Sequence, residues 1–132
     1  MGKYDGVRAR TGYGIVGRDA PRPTDSQLDE LLLLSHDHDP KARRVALKNL
    51  CPCRVQRRRD EVWERIFELA HDDDPGVRYD AIHAMVDGSP RALAPRVYDA
   101  LEVARNDADR KVRRFARILG ARQRRTGRVN VD

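Results

Sequence analysis

The chain has 132 residues, which is enough for one domain. Charged residues make up 36% of it and hydrophobic residues 39%, and 27 basic against 21 acidic side chains leave a net charge of +6. The longest apolar run, Leu31–Leu34, is far shorter than the roughly 20 residues of a membrane span, and two cysteines cannot make a disulfide framework. We therefore expect a cytoplasmic protein with no membrane partner.

The first 23 residues carry five basic and two acidic side chains and are rich in glycine. They show no amphipathic period, so residues 1–23 are expected to form a flexible basic tail. The run from Gly12 to Gly17 matches the glycine spacing of a dinucleotide loop, but no buried strand precedes it, and Pro21 and Pro23 lie where the helix of such a site would have to be. No cofactor is expected.

A repeat of 35 residues begins after this tail. Residues 36–43, 71–78 and 106–113 read His-Asp-His-Asp-Pro-Lys-Ala-Arg, His-Asp-Asp-Asp-Pro-Gly-Val-Arg and Asn-Asp-Ala-Asp-Arg-Lys-Val-Arg, and they align without insertion. Several columns match at the same spacing, which is strong evidence of an internal repeat. Each repeat predicts two helices, which we call helix A and helix B.

Helix A is predicted from apolar residues three positions apart, which share one face of a helix. It begins near Asp25, Asp60 and Pro95 in the three repeats. In the first repeat Thr24 and Gln27 have the spacing of a capping box.

Helix B is predicted to begin at an aspartate column, where a carboxylate can accept hydrogen bonds from the first amides of a helix. Its inner stripe contains Ala81 and the equivalent alanines. Its ends are expected near Cys51, Gly88 and Gly120, because glycine and a following proline stop helices. The repeats then cover residues 24–53, 60–88 and 95–120, and residues 121–132 form a basic C-terminal tail.

The residues Asp-Pro-Gly-Val-Arg-Tyr-Asp-Ala at 74–81 resemble the start of helix B in HEAT repeats, and the resemblance covers residues 24–120. Cys51-Pro52-Cys53 and Asp87-Gly88-Ser89-Pro90, together with Val62-Trp63, also resemble a group of short bacterial HEAT-repeat proteins. The resemblance implies an all-α, right-handed α-solenoid of three HEAT-like helix pairs with flexible basic termini.

The same resemblance implies a polar ladder of aspartate and arginine side chains between successive turns. Its predicted members, which include the helix caps, are Asp39, Asp74, Asp109, Arg43, Arg78 and Arg113. A stack of this kind has two end faces that need cover. Residues 13–16 are expected to fold back onto the first repeat and residues 129–131 onto the last. An end left uncapped would become a dimer interface, so we expect a monomer or a weak homodimer.

The outer stripe of helix B is the candidate partner-binding site, because basic side chains lie at both ends of it around an aromatic centre. Its members are Lys41, Arg44, Lys48, Tyr79, His83, Lys111 and Arg114. In HEAT arrays this stripe faces the concave side. It is interpreted either as an ordinary solvated face or as a groove for an acidic protein segment or a phosphate backbone, with Tyr79 facing outward as the anchor.

Catalytic patterns are absent from the sequence. Ser26, Ser35 and Ser89 do not lie in a nucleophile elbow. Cys51 and Cys53 are interpreted as packing at a helix end, with a metal shared between two chains or redox sensing as alternatives; only His83 is expected to approach them.

We therefore predict no metal site and no enzyme, but a binding module or scaffold for a protein partner. The alternatives are a nucleic-acid-associated protein and, more weakly, an accessory factor similar to lyase-like HEAT proteins.

Overall fold

The computed structural model describes residues 2–128 and residue 130, and these residues form helices and connecting turns with no β-strand among them. The helices are α1 (Asp5–Thr11), α2 (Asp25–Leu34), α3 (Pro40–Leu50), α4 (Pro52–Val55), α5 (Asp60–Leu69), α6 (Pro75–Met85), α7 (Ala94–Ala104) and α8 (Arg110–Thr126). A 3-10 turn, Arg91–Leu93, precedes α7. The all-α prediction is confirmed. Within the described part of the chain, none of the helices has the length and apolar character needed to span a bilayer.

The helices pack as neighbouring pairs around a continuous core. Helix α2 contacts α3, α5 contacts α6, and α7 contacts α8. Helices α3, α6 and α8, which correspond to the predicted helix B, also contact each other in that order. Buried side chains from Leu28 to Leu119 form one apolar cluster, and Ala81 within it is 0% exposed. The row formed by α3, α6 and α8 therefore presents one shared outer surface, which we call the helix B face.

The predicted helix starts are confirmed by their caps. Thr24 and Gln27 form the capping box of α2. The side chains of Asp39, Asp74 and Asp109 accept hydrogen bonds from the first-turn amides of α3, α6 and α8. These contacts satisfy amides that have no partner inside the helix, so the 35-residue spacing of the caps fixes the spacing of the helices.

The expected end of the third helix B at Gly120 is wrong. Helix α8 continues through Gly120 to Thr126, and Gly127 ends it with a positive φ of 70°. One glycine weakens a helix by only about 1 kcal/mol, and the residues after Gly120 are good helix formers. Residues 121–126 of the predicted basic tail are therefore helical.

The N-terminal segment also differs from the expected flexible tail. Helix α1 lies against α3 and buries Val7 in a small apolar cluster with Ala42 and Val45. After α1, the carbonyl of Gly14 accepts a hydrogen bond from Asn49 Nδ2 at 3.1 Å, and Tyr13 packs against the core, so residues 13–16 fold back onto the first repeat as expected. The Asn49 contact explains a polar side chain in the apolar inner stripe of helix B. Helix α1 therefore covers the side of α3 that faces away from α6, where no further helix pair follows among the described residues. Residues 129 and 131, expected to cover the last repeat, lie outside the described residues.

Candidate functional site

A ladder of arginine–aspartate pairs joins successive helix pairs. Arg43 donates through Nε and Nη2 to the two carboxylate oxygens of Asp72, at 3.0 and 2.9 Å. Arg78 makes the same two bonds to Asp107, both at 2.9 Å. Each arginine also donates through Nη1 to the backbone carbonyls of its own turn. Such bidentate pairs are charge-assisted and fix orientation as well as distance.

The acidic partners in this ladder are Asp72 and Asp107, not the predicted Asp74 and Asp109. The predicted pair has its carboxylates directed at the first amides of α6 and α8. Asp72 in turn accepts a hydrogen bond from the backbone N–H of Asp74 at 2.9 Å. In each turn, therefore, one aspartate binds the arginine and the other caps the helix. The pairing of Arg43 and Arg78 with these carboxylates raises the pKa of both arginines.

The ladder has a further member that the sequence did not reveal. Arg10 in α1 donates to both oxygens of Asp37, at 3.0 and 2.9 Å. This hydrogen bonding lowers the pKa of Asp37 to about 2. At the other end, Arg113 donates to the carbonyls of Asp107 and Ala108, and no carboxylate among the described residues lies within 4.0 Å of it. The ladder is thus closed by α1 at one end and open at Arg113.

On the helix B face, two of the predicted cations are held by a carboxylate. Arg44 Nε lies 2.8 Å from Asp80 Oδ2, and Lys48 Nζ lies 3.6 Å from Asp80 Oδ1. Asp80 is only 8% exposed, so this pair joins α3 to α6 beneath the surface. The hydrogen bond from Arg44 to Asp80 raises the pKa of Arg44. Arg44 and Lys48 therefore contribute less free positive charge than the sequence suggests.

The predicted aromatic anchor is part of a stack. The rings of Tyr79 and Phe115 lie 4.5 Å apart between centroids and are inclined by 23°. The ring of His83 lies 6.2 Å from that of Phe115. Tyr79 is half-buried and packs against the core, and it also lines a groove at the surface, so it is less exposed than the predicted outward-facing position suggests.

A groove of about 880 Å³ lies on the helix B face between α6 and α8. Four of the predicted site residues line it: Arg44, Tyr79, Lys111 and Arg114. The other lining residues are Lys3, Pro75, Gly76, Asp109, Arg110, Phe115 and Ile118. We call this cavity the basic groove, because five of its side chains are cationic and one is acidic.

The remaining predicted residues lie outside the basic groove. Lys41 is exposed on the first turn of α3. Lys48 and His83 line a smaller neighbouring pocket of about 320 Å³ together with Cys51. The predicted stripe is therefore divided between two cavities and an exposed position.

Lys3, Arg110 and Phe115 were missed by sequence reasoning. A signal for Phe115 exists, because contacts between adjacent B helices join residues 36 positions apart, as in Arg44–Asp80 and Cys51–Asp87. The pair Tyr79–Phe115 has the same separation. Lys3 precedes α1 and carries no repeat signal.

Acidic side chains on the helix A surface are largely paired. Arg59 Nη2 lies 3.0 Å from Asp29, and Arg65 lies 2.7 Å from Glu68. Arg96 lies 2.6 Å from Glu64, and its guanidinium carbon lies 4.1 Å from the Phe67 ring centroid. The hydrogen bond from Arg96 lowers the pKa of Glu64. This surface therefore presents a balanced set of charges, unlike the basic groove.

Cys51 and Cys53 meet Asp87 at the end of α3. The Cys51 thiol donates to Asp87 Oδ2 at 3.2 Å, and Cys53 Sγ lies 3.1 Å from Cys51 Sγ. Cys51 is buried and Cys53 is exposed, and both are reduced. Burial raises the pKa of both thiols. The sequence predicted His83 as the only side chain able to approach, whereas the structure adds a carboxylate as the third potential metal ligand.

Comparison with known proteins gives one match. The sequence profile of the family described as HEAT repeats matches residues 28–122, well over half of the chain. No curated protein and no solved structure gives a significant match. HEAT repeats generally act as non-catalytic scaffolds that mediate protein–protein interaction. The matched range contains α3, α6, the capped start of α8 and both inter-repeat rungs of the ladder, and the chain therefore belongs to the HEAT-repeat family.

Proposed function

We propose that the chain is a non-catalytic binding module and that its basic groove binds an acidic segment of a partner protein. One observation carries this proposal: the groove combines uncompensated cationic side chains with a stacked aromatic floor. Charge on a protein surface steers and selects partners of opposite charge, and aromatic and arginine side chains dominate the energy of many interfaces.

The charge of the basic groove comes mainly from the first turns of α8. Within the described residues, Arg110, Lys111 and Arg114 lie beyond 4.0 Å of any carboxylate, and all three are exposed. The one acidic side chain of the groove, Asp109, already accepts the hydrogen bond that caps α8. A carboxylate of a partner would therefore meet cations that have no competing carboxylate among the described residues.

The floor of the groove offers apolar surface beside these cations. Tyr79 and Phe115 line the groove, and Ile118 is 56% exposed. Exposed apolar side chains next to charge suit a peptide in which acidic residues alternate with large apolar ones. The occupant we infer is such an acidic and partly apolar segment.

The proposal is tested with a fluorescent peptide of alternating glutamate and leucine residues, and with a lysine–leucine peptide as its matched control. Arg114→Glu should weaken binding of the acidic peptide at least about tenfold, because it reverses a charge inside the groove. Lys41→Glu makes the same charge change on α3 outside the groove and should change affinity less than about twofold. Equal losses from both variants would contradict a groove-specific site, as would tighter binding of the lysine peptide.

A nucleic-acid backbone is the second candidate, and the length of α8 favours it. This helix carries a series of exposed arginines along its whole length, namely Arg114, Arg117, Arg122, Arg124 and Arg125. Binding to Z phosphates of duplex DNA weakens with salt with a log–log slope of about −0.9Z. Measured binding to a short duplex with a slope of several units would favour this candidate. The absence of binding at low salt would remove it.

A further inference from the structure

We propose that Cys51, Cys53 and Asp87 form a mononuclear zinc site, with solvent as the fourth ligand. This inference is independent of the basic groove, because none of the three side chains lines it. One sulfur each from Cys51 and Cys53 and one carboxylate oxygen from Asp87 all lie within 4.8 Å of one another.

The geometry is close to what zinc requires. In a tetrahedral site with Zn–S bonds of about 2.3 Å, two sulfurs lie about 3.7 Å apart, and a sulfur and a carboxylate oxygen lie about 3.5 Å apart. The observed separations are 3.1 Å between the sulfurs and 3.2 Å between Cys51 Sγ and Asp87 Oδ2. The two sulfurs therefore have to move apart by about 0.6 Å, and the Cys51 sulfur and the Asp87 oxygen by about 0.3 Å, while Cys53 Sγ already lies within 4.8 Å of an Asp87 oxygen. Cys53 is exposed, so its side chain has room to move.

The three ligands are also held on supported backbone. Cys51 lies between α3 and α4 as the cap of both, and Pro52 restricts the backbone between the two cysteines. The turn after Asp87 is fixed by Gly88, whose φ of 108° favours glycine and where an added Cβ would lie 3.3 Å from Pro52 Cβ. Asn130 Oδ1 accepts hydrogen bonds from the amides of Gly88 and Ser89, at 3.0 and 2.8 Å.

The donor set selects the metal. Two sulfurs favour a soft or borderline cation over magnesium or calcium, and zinc accepts carboxylate oxygen as well as thiolate sulfur. Cys53 is open to solvent, which gives the metal an entry path and leaves one coordination position for water. Zinc binding would release the thiol protons of Cys51 and Cys53 to solvent, and the charge of the metal would stabilise the two thiolates so formed beside Asp87, which has no cation of the described residues within 4.0 Å.

The test uses the reduced full-length chain titrated with Co²⁺ as a spectroscopic probe and then with Zn²⁺ as competitor. We expect one metal per chain, sulfur-to-cobalt charge-transfer absorption in the near ultraviolet, and intense visible bands typical of tetrahedral cobalt. Cys53→Ser and Asp87→Asn should each weaken binding at least about tenfold, since each removes one ligand. Asp99→Asn, an exposed carboxylate on α7, is the matched control and should bind as the parent chain does.

Circular dichroism of each variant checks that the fold is intact, and both ligand substitutions are at positions that are not fully buried. Absence of the charge-transfer band in the parent chain would overturn the proposal. The cluster would then be only a hydrogen bond between the Cys51 thiol and the Asp87 carboxylate. Equal affinity of all variants would overturn it as well. One metal per two chains, with a dimer in sedimentation, would also overturn it, because the site would then be shared between chains.

Discussion

At the scale of single residues, the aspartates that receive the ladder arginines also organise their own turns. Asp37 accepts hydrogen bonds from Nη1 and Nη2 of Arg10 and also from the backbone N–H of Asp39, the cap of α3. Asp107 repeats this arrangement with Arg78 and the N–H of Asp109. Burial by itself raises the pKa of Asp107, but the hydrogen bonds from Arg78 and from the backbone of Asp109 together outweigh it and lower the pKa. One carboxylate thus joins a cap, a turn and the neighbouring helix pair.

The Arg10–Asp37 pair should make stability depend on pH in acid. The pKa of Asp37 falls from 3.8 to about 2 on folding, so its ionised form stabilises the folded state. That contribution is complete above the ordinary pKa and is lost as pH falls through 3.8 towards 2. Arg10→Met should therefore lower the free energy of unfolding near neutral pH, and the difference from the parent chain should shrink towards about pH 2.

Urea unfolding at a series of pH values measures this difference. Arg18→Met removes an exposed N-terminal cation outside the ladder and serves as the control, with no pH-dependent effect. A difference for Arg10→Met that stays constant from neutral pH to about pH 2 would mean that Arg10 stabilises α1 by packing rather than by its charge.

At the scale of the elements, two glycines inside helices have opposite surroundings. A Cβ added to Gly120 in α8 would meet only the far end of the Arg124 side chain, at 3.5 Å. Gly120→Ala should therefore stabilise the protein by about 0.5–1 kcal/mol, because alanine is the better helix former. A Cβ added to Gly76 in α6 would lie 2.6 Å from Arg44 Nη1 and 3.0 Å from Asp74 Oδ2. Gly76→Ala should show no such gain.

Thermal melting of the two alanine variants checks this contrast. A higher melting temperature for Gly120→Ala and an unchanged or lower one for Gly76→Ala is the expected result. An equal rise in the melting temperature of both variants would mean that helix propensity alone determines their stability. The close approach of Arg44 to α6 would then have no energetic role.

The same elements show what a sequence can predict for this fold. Helix starts were predictable because each cap acts within its own turn, as Asp74 does on Val77. Contacts between repeats were harder, because they join residues 29 or 36 positions apart and not at the repeat length of 35. Helix α1 was missed because seven residues are too few to show a helical period. The basic groove was found in part, since Tyr79 and Arg114 carry the repeat signal and Lys3 does not.

At the scale of the whole molecule, α1 determines how the stack ends. It buries Val7 against α3 and supplies the arginine for Asp37, so the first helix pair has a neighbour on both sides. The outer side of α8 has no equivalent cover among the described residues. The molecule therefore has one closed and one open end.

Removal of α1 should promote head-to-tail association. Deleting residues 1–11 exposes Ala42 and Val45, which are 0% exposed in the intact chain, and leaves Asp37 without its arginine. Arg113 of a second copy offers the guanidinium that Asp37 then lacks. We expect concentration-dependent association of the deletion variant in sedimentation velocity, and a monomer for the full-length chain.

Asp37→Asn introduced into the deletion variant should reverse this association, because the ladder bond between copies is lost. Val7→Asp in the full-length chain detaches α1 without shortening the protein and should behave like the deletion. Circular dichroism separates association from unfolding. A deletion variant that keeps its helicity and remains monomeric would contradict the role given to α1.

The ladder also determines how a longer version of this protein can be made. Residues 75–109 contain both members of one rung, Arg78 and Asp107, together with the cap of the next helix, Asp109. A tandem copy of this segment would bring its own complete rung and would leave the Arg10, Arg43 and Arg113 contacts unchanged. It would lengthen the row of B helices by about 10 Å, but the copied Asp80 would face Tyr79 where the original faces Arg44, so Tyr79→Arg in the first copy is needed to keep that buried carboxylate paired. The reach of the molecule along a partner can therefore be set in whole units by gene duplication.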